Sequence, residues 1–148
     1  MGKDINNGRE IKFRGKSTDT GKWVYGFLSF FYTAGRDENG LIFTDKARIY
    51  SPEDGCCYDV WAETVGQFTG LRDKNGKEIY EGDIVKTKEY GIEIPNGKVS
   101  FNSVGYDNFI INYIDGGFCL SNNHRCFLLC RGNHLEVNGN IYDNPNLI

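Results

Sequence analysis

Closely spaced turn signals constrain this chain more than any other feature of its sequence. Gly, Asn and Asp gather with charged residues at short intervals, in residues 17–21, 35–40, 73–77, 81–83, 95–97 and 115–117. Glycine is abundant at 19 residues and proline is scarce at 3, which suits tight turns between short strands and suits helices poorly. The sequence therefore predicts a mainly β fold, either barrel-like or a meandering antiparallel sheet.

Apolar runs place the strands of the first half. Residues 11–14 alternate apolar and polar side chains, which predicts a strand with Ile11 and Phe13 facing the core. Residues 23–32 are interpreted as a strand buried on both sides, because both faces are apolar. One face would carry Trp23, Tyr25, Phe27 and Phe31, and the other Val24, Leu28, Phe30 and Tyr32. Residues 41–50 follow a charged turn and are expected to return antiparallel as a hairpin.

The second half has the pattern of short strands joined by tight turns. Asn75 and Gly76 predict a type I′ hairpin turn, since such a turn needs two residues with positive φ. Apolar runs predict further strands at residues 84–87, 109–114, 118–120 and 135–141. Residues 58–68 fit either a helix or a strand. Because Pro52 and two acidic residues precede them, we expect a short helix near residues 52–63.

Length and composition favour one domain. With 39% hydrophobic and 14% aromatic residues, the 148-residue chain has the material for a sizeable core. We predict a flexible N-terminal arm over residues 1–10 and a single β domain over residues 11–148. No linker-like tract divides the sequence, although the aromatic first half and the turn-rich second half could each form a smaller barrel.

Net charge and hydropathy limit where in the cell the protein is expected to act. The net charge of −3 gives no global positive field that would draw the chain onto nucleic acid or anionic lipid, so any basic surface would be local. No apolar run has the length of a signal peptide or a membrane span. We therefore expect a protein of the cytoplasm that has no membrane partner. The five cysteines are then most simply reduced thiols.

Five zinc-type ligands lie within sixteen residues of one another: Cys119, His124, Cys126, Cys130 and His134. The spacing of Cys126 and Cys130 differs from the Cys-x2-Cys turn of a structural zinc site. We favour a buried strand over residues 126–130, because free cysteine behaves as a small hydrophobic residue, and we predict no metal. The adjacent pair at residues 56 and 57 cannot close an ordinary disulfide and is interpreted as structural.

No group of residues in the sequence has the pattern of a catalytic or cofactor site. The carboxylates fall mostly in turns, where Asp and Glu are expected for solvation and for hydrogen bonds to the backbone. The glycines do not form a phosphate-binding loop, and no cysteine has a recognised nucleophile signature around it. We therefore expect no enzyme activity and no cofactor.

Three blocks of sequence carry a family resemblance. They are residues 64–85, which run from Thr-Val-Gly-Gln-Phe to Glu-Gly-Asp-Ile-Val, residues 11–14, and the Gly-Asn-Ile-Tyr-Asp-Asn-Pro-Asn-Leu ending at residues 139–147. Together they resemble the YopX family of phage and prophage proteins. The resemblance implies a phage-encoded or prophage-encoded protein in the cytoplasm of a bacterial host, a mainly β fold with some helix, and self-association. It implies no established activity.

Two hypotheses for function follow. The first is a non-enzymatic accessory protein that binds itself or a host or phage protein. Its candidate surface lies in residues 71–86, where two tight turns would hold charged side chains outward, although hairpin geometry alone explains these residues equally well. The candidate residues are Arg72, Lys74, Lys77, Glu81 and Asp83.

The alternative hypothesis is a protein that binds nucleic acid in phage DNA or RNA metabolism. β-surfaces that bind single strands combine cations with stacking rings. Cations cluster near the aromatic strand at Lys12, Arg14, Lys16 and Lys22, and others crowd the hairpin at residues 72–77.

Overall fold

The computed structural model describes residues 10–93 and 100–148. The mainly β class is confirmed: the described chain forms strands in two antiparallel sheets, and neither sheet closes into a barrel. The strands are β1 (Phe13–Lys16), β2 (Trp23–Arg36), β3 (Ile42–Ser51), β4 (Cys56–Trp61), β5 (Gly66–Arg72), β6 (Glu78–Tyr80), β7 (Asp83–Glu93), β8 (Ser100–Ile114), β9 (Gly117–Ser121), β10 (Cys126–Leu128) and β11 (Glu136–Asn140). Within the described ranges, helical structure is limited to single 3-10 turns at Ala62–Thr64 and Pro145–Leu147. None of the described helices is long and apolar enough to cross a membrane.

Contacts divide the chain into two compact units, Met1–Gly70 and Leu71–Ile148. Each unit has its own hydrophobic cluster. The single domain predicted for residues 11–148 stays a prediction. Residues 1–9 of the predicted arm lie outside the described residues.

The first unit is built on strands in the order β4-β3-β2-β1-β5. Ala47 and Ile49 of β3 and Val60 of β4 are fully buried on one face of this sheet. Gly15 permits the close packing of β1 against them, because a methyl group at this position would lie 2.7 Å from Cγ2 of Val60. Phe13, Val24, Leu28 and Val65 pack around the cluster.

The predicted strands of this unit exist, but part of their predicted burial is wrong. The first strand begins at Phe13 rather than at Ile11, and the Ile11 side chain is 55% exposed because it precedes the pairing with β2. The strand predicted at residues 23–32 is β2, and its return antiparallel to β3 is confirmed. Burial on both sides is wrong, since Tyr25, Phe27 and Phe30 are exposed. β2 has 14 residues, and β1 pairs with only its first four.

A β-bulge explains why the two predicted faces of β2 are mixed. Leu28 pairs with Ile49 but Phe30 pairs with Arg48, so that the residue at position 29 is extra. After the bulge the alternation continues out of phase with the sequence. Phe30 therefore lies on the same side as Phe27, and not on the side of Leu28.

The helix predicted near residues 52–63 is wrong, and the strand alternative is confirmed for its second half. Cys56–Trp61 is β4, which pairs along its whole length with β3 from Ser51 to Lys46. Pairing with an existing strand outweighs the local start signal. Helical geometry is confined to the turn that follows, at Ala62–Thr64.

The second unit contains a sheet with the order β10-β9-β8-β7-β11. The strands predicted at residues 84–87, 109–114, 118–120 and 135–141 are confirmed as parts of β7, β8, β9 and β11. The cluster at the centre of the unit comprises Ile79, Val85, Phe109, Ile111, Leu120 and Leu135. Residues 126–130 were predicted to be a buried strand. They instead provide β10 at one edge of the sheet, where Phe127 and Leu128 are exposed.

The turn with two positive-φ residues predicted at Asn75 and Gly76 occurs instead between β8 and β9. Of Asn75 and Gly76, only Gly76 has a positive φ, so the predicted type I′ turn is wrong at this position. The Asp73 carboxylate accepts hydrogen bonds from the backbone N–H groups of Asn75 and Lys77, which holds a different turn. The positive-φ pair occurs at Asp115 and Gly116, between β8 and β9. The turn predicted at residues 95–97 lies outside the described residues.

Candidate functional site

The first unit has a sheet face opposite its core, and cations and aromatic rings lie side by side on it. Side chains alternate across a strand, so Lys46, Arg48 and Tyr50 point away from the buried Ala47 and Ile49. Cross-strand pairs extend this surface to β2, β4 and β1. We call it the open face; its members are the buried Arg14 and the half-buried or exposed Lys16, Trp23, Tyr25, Phe27, Phe30, Tyr32, Lys46, Arg48, Tyr50, Asp59 and Trp61.

Each cation of the open face lies over a ring. The Arg14 guanidinium is 4.4 Å and the Lys16 ammonium 5.5 Å from the centre of the Trp23 ring. The Lys46 ammonium is 5.8 Å from the ring of Trp61, which is its cross-strand neighbour. All of these distances fall within the range of cation–π attraction. The rings therefore help to position the charges.

Asp59 is the acidic member of the open face, and it is engaged by two neighbours. One of its carboxylate oxygens accepts a hydrogen bond from Arg48 Nε at 3.0 Å and another from the Tyr32 hydroxyl at 3.1 Å. The hydrogen bond from Arg48 holds the pKa of Asp59 below its ordinary value, and Asp59 in turn raises the pKa of Arg48. Arg48 also lies 5.9 Å from the Phe30 ring centre and 5.7 Å from that of Tyr32. Arg48 is therefore fixed in place and permanently charged.

The far end of the β2–β3 hairpin carries a second exposed surface. We call residues 31–43 the hairpin tip; its exposed apolar side chains are Phe31, Leu41, Ile42 and Phe43. The turn is ordered, since the Asp37 carboxylate accepts the backbone N–H of Leu41 and the Arg36 side chain donates to the Gly40 carbonyl. The tip therefore presents apolar side chains on a hydrogen-bonded frame.

The charged residues predicted as an interaction surface lie at two consecutive turns, between β5 and β6 and between β6 and β7, and not all of them are exposed. Arg72 pairs with Glu78 at 3.5 Å, Lys74 pairs with Glu136 at 2.8 Å, and Lys77 is exposed. Glu81 is half-buried.

Asp83 is only 1% exposed, and its carboxylate accepts the backbone N–H of Tyr80 at 2.8 Å. It therefore supports the turn from inside and does not face a partner. The interaction role of the other four residues stays a prediction.

The thiols and imidazoles of the second unit do not converge. Cys119 is buried, whereas Cys126, Cys130, His124 and His134 are exposed. Burial, together with the neighbouring Cys126, raises the pKa of the Cys119 thiol. In the part of the chain that the structure describes, no three His, Cys, Asp or Glu side chains come together as a metal site.

A small polar cavity also lies in the second unit. Its volume is about 170 Å³, and its lining includes Lys86, Tyr106, Asp107, Asn108 and Asn138. The Lys86 ammonium lies 5.1 Å from the Tyr106 ring centre. Pockets that enclose small-molecule ligands usually measure roughly 300–1,000 Å³, so this one has room for a few waters or an ion.

Half of the open face was missed in the sequence. Arg14 and Lys16 were noted beside the aromatic strand, but Lys46, Arg48 and Trp61 were not. Residues 46–50 alternate cation, Ala, cation, Ile and Tyr. That alternation is the signal of a strand with one basic and one apolar face, and it could have identified them.

Comparison with known proteins identifies the family. A family model described as "YopX protein" matches residues 12–148. Among solved structures, protein EF1440 from Enterococcus faecalis is similar, with 26% sequence identity, a TM-score of 0.49, and coverage of 95% of this chain and 99% of that chain. No curated protein matches the sequence. Because the family model covers nearly the whole sequence, the chain belongs to the YopX family.

Proposed function

We propose that this YopX-family protein is a phage-encoded or prophage-encoded accessory protein of the bacterial cytoplasm that acts by binding and not by catalysis. In this proposal it self-associates through the hairpin tip. The observation that carries the proposal is the exposure of Leu41, Ile42 and Phe43 on an ordered hairpin. Contiguous exposed apolar side chains of this kind typically mark protein–protein contacts.

A second copy of the chain fits the geometry of β2. β1 pairs with β2 only at Trp23 to Gly26, so the same edge of β2 continues past the end of β1. A strand that continues past its neighbour can pair with the same strand of another copy across a two-fold axis. Antiparallel pairing over residues 27–36 would bring the acidic turn at Asp37 and Glu38 of one copy towards the basic β1 of the other. Charge therefore favours this arrangement.

Leu41→Lys tests the proposed assembly. We expect wild type to be dimeric or larger by size-exclusion chromatography with light scattering, and Leu41→Lys to shift towards monomer at equal concentration, because an ammonium would be buried in the contact. Leu128→Lys is a matched control, since Leu41 and Leu128 are both 67% exposed.

Wild type that stays monomeric at every accessible concentration would overturn self-association. Dissociation by Leu128→Lys alone would place the contact at the β10 edge. A screen for hydrolase and nuclease turnover is expected to be negative, and reproducible turnover would overturn the non-catalytic part of the proposal.

Nucleic acid is the second candidate ligand, and the open face is the observation that favours it. Cations interleaved with exposed rings are the combination that single-strand-binding β-surfaces use. Affinity capture of tagged protein from induced host cells, run with and without nuclease, tests this candidate. Nucleic acid in the captured material would support it, and partners that survive nuclease treatment would support the protein-interaction proposal.

A further inference from the structure

We infer that the open face binds single-stranded nucleic acid with little preference for base sequence. This inference rests on the second candidate function and specifies its ligand and its site. It does not depend on Leu41, Ile42 and Phe43 of the hairpin tip, which are not part of the open face, although Tyr32 lies within both.

Exposed rings give the bases a place to stack. Phe27, Phe30, Tyr50 and Trp61 are all exposed on the open face, although each belongs to a strand whose other side covers the core. Stacking of bases on aromatic side chains tolerates every base, because each base has a π-face. A duplex keeps its bases stacked on one another, so rings of this kind select unpaired strands.

Local charge gives the phosphates a place to bind despite the net charge of −3. Lys16, Lys46 and Arg48 each lie over an aromatic ring of the open face. The negative charge of Asp59 reduces this positive charge, but the Asp59 carboxylate already accepts hydrogen bonds from Arg48 and Tyr32 within the open face. The open face is therefore locally basic, in line with a polyanionic partner.

The shape of the surface also favours a single strand. Reading a duplex groove requires an inserted helix or β-ribbon, whereas β1 to β4 form a continuous sheet surface. Neighbouring strands are about 4.8 Å apart, so the four strands span roughly 14 Å, which is room for several nucleotides. Cross-strand pairs and the Asp59 hydrogen bonds hold the side chains before binding, which lowers the ordering cost.

Fluorescence anisotropy with a labelled oligothymidine of about 16 nucleotides, the upper end of the usual site size, tests the inference. We expect it to bind more tightly than a duplex of equal length. Phe30→Ala and Trp61→Ala should each weaken binding about 5- to 150-fold. Phe127→Ala is the matched control, because Phe127 is 48% exposed against 47% for Phe30 and lies in β10 of the second unit.

Salt dependence tests the charge contribution. Three phosphate contacts predict a slope of about −2 in log affinity against log salt, and Lys46→Glu should make the slope shallower by roughly 0.7. Arg131→Glu makes the same change in net charge at an exposed position outside the open face and should leave the slope unchanged. Circular dichroism and thermal unfolding of each variant would show whether it folds.

The outcomes distinguish failure of the open face as a single-strand site from failure of nucleic-acid binding as a whole. Equal loss of affinity in Phe30→Ala and Phe127→Ala, or tighter binding to duplex than to oligothymidine, would overturn the open face as a single-strand site while leaving nucleic-acid binding intact. Absence of nucleic acid from the nuclease-controlled capture, together with absence of oligothymidine binding, would overturn both.

Discussion

Asp73 joins two backbone segments of the second unit, the turn at residues 73–77 and β11, through one buried carboxylate. One oxygen accepts the N–H groups of Asn75 and Lys77 in the turn, and the other accepts the N–H of Val137 at 3.0 Å. Burial by itself would raise the pKa of Asp73, but the three N–H donors outweigh it and the pKa lies below the ordinary value. A residue that the sequence suggested was a solvated turn carboxylate is therefore a structural acceptor.

Asp73→Asn should destabilise the protein by about 1–3 kcal/mol, because the amide can present only one oxygen and its NH₂ group would face an N–H donor. Urea unfolding would measure the change. Asp19→Asn makes the same chemical change in an exposed turn and should stay within about 0.5 kcal/mol of wild type. Equal stability of Asp73→Asn and wild type would contradict the role of the carboxylate.

At the scale of elements, packing and pairing decide what local sequence leaves open. The antiparallel β2–β3 hairpin follows from two apolar runs around a charged turn, and the sequence predicted it correctly. Residues 58–68 were ambiguous, because their apolar spacing fits both a helix and a strand, and the helix expected near residues 52–63 is absent from the described structure. β4 forms there because β3 offers an edge for six cross-strand pairs, a contact that no local window contains.

The packing of β1 against β4 can be tested at Gly15. Gly15→Ala should cost about 1–3 kcal/mol, since its methyl group would lie 2.7 Å from Val60 Cγ2. Gly117→Ala is the control, because its nearest neighbour is the end of the exposed Leu128 side chain at 3.3 Å. Val60→Ala would remove the Cγ2 contact and leave the Cβ contact at 2.9 Å, so the double variant should lose somewhat less stability than the sum of the two single variants. Strict additivity in urea unfolding would contradict the steric explanation.

At the scale of the whole molecule, charge is unevenly distributed. An acidic chain carries a basic, ring-lined face on one unit, and neither net charge nor composition predicts where that face lies. The sequence could suggest the cations of β1, because they are close to the aromatic strand along the chain. Lys46 and Trp61 meet only across the β3–β4 pairing, so their contact depends on the fold.

Acid should destabilise the molecule through carboxylates whose pKa values are lowered in the folded state. The pKa values of Asp54, Asp59 and Asp73 all lie below the ordinary value of 3.8. A lowered pKa contributes stability that is fully present above 3.8 and is lost as pH falls through the folded-state value. Thermal unfolding midpoints should therefore change little from about pH 7 to 5 and fall below about pH 4. Midpoints that rise in acid would contradict these directions.

The bulge in β2 determines which aromatic side chains of this strand lie on the open face. The extra residue at position 29 shifts the phase of the strand, so that Phe30 joins Tyr25 and Phe27 on the open face while Phe31 lies on the other side. A single insertion or deletion elsewhere in β2 would exchange these side chains between the two faces with almost no change in composition. The chemical character of the open face is thus encoded in residue spacing, and a chain of this kind can gain or lose a stacking surface in one mutational step.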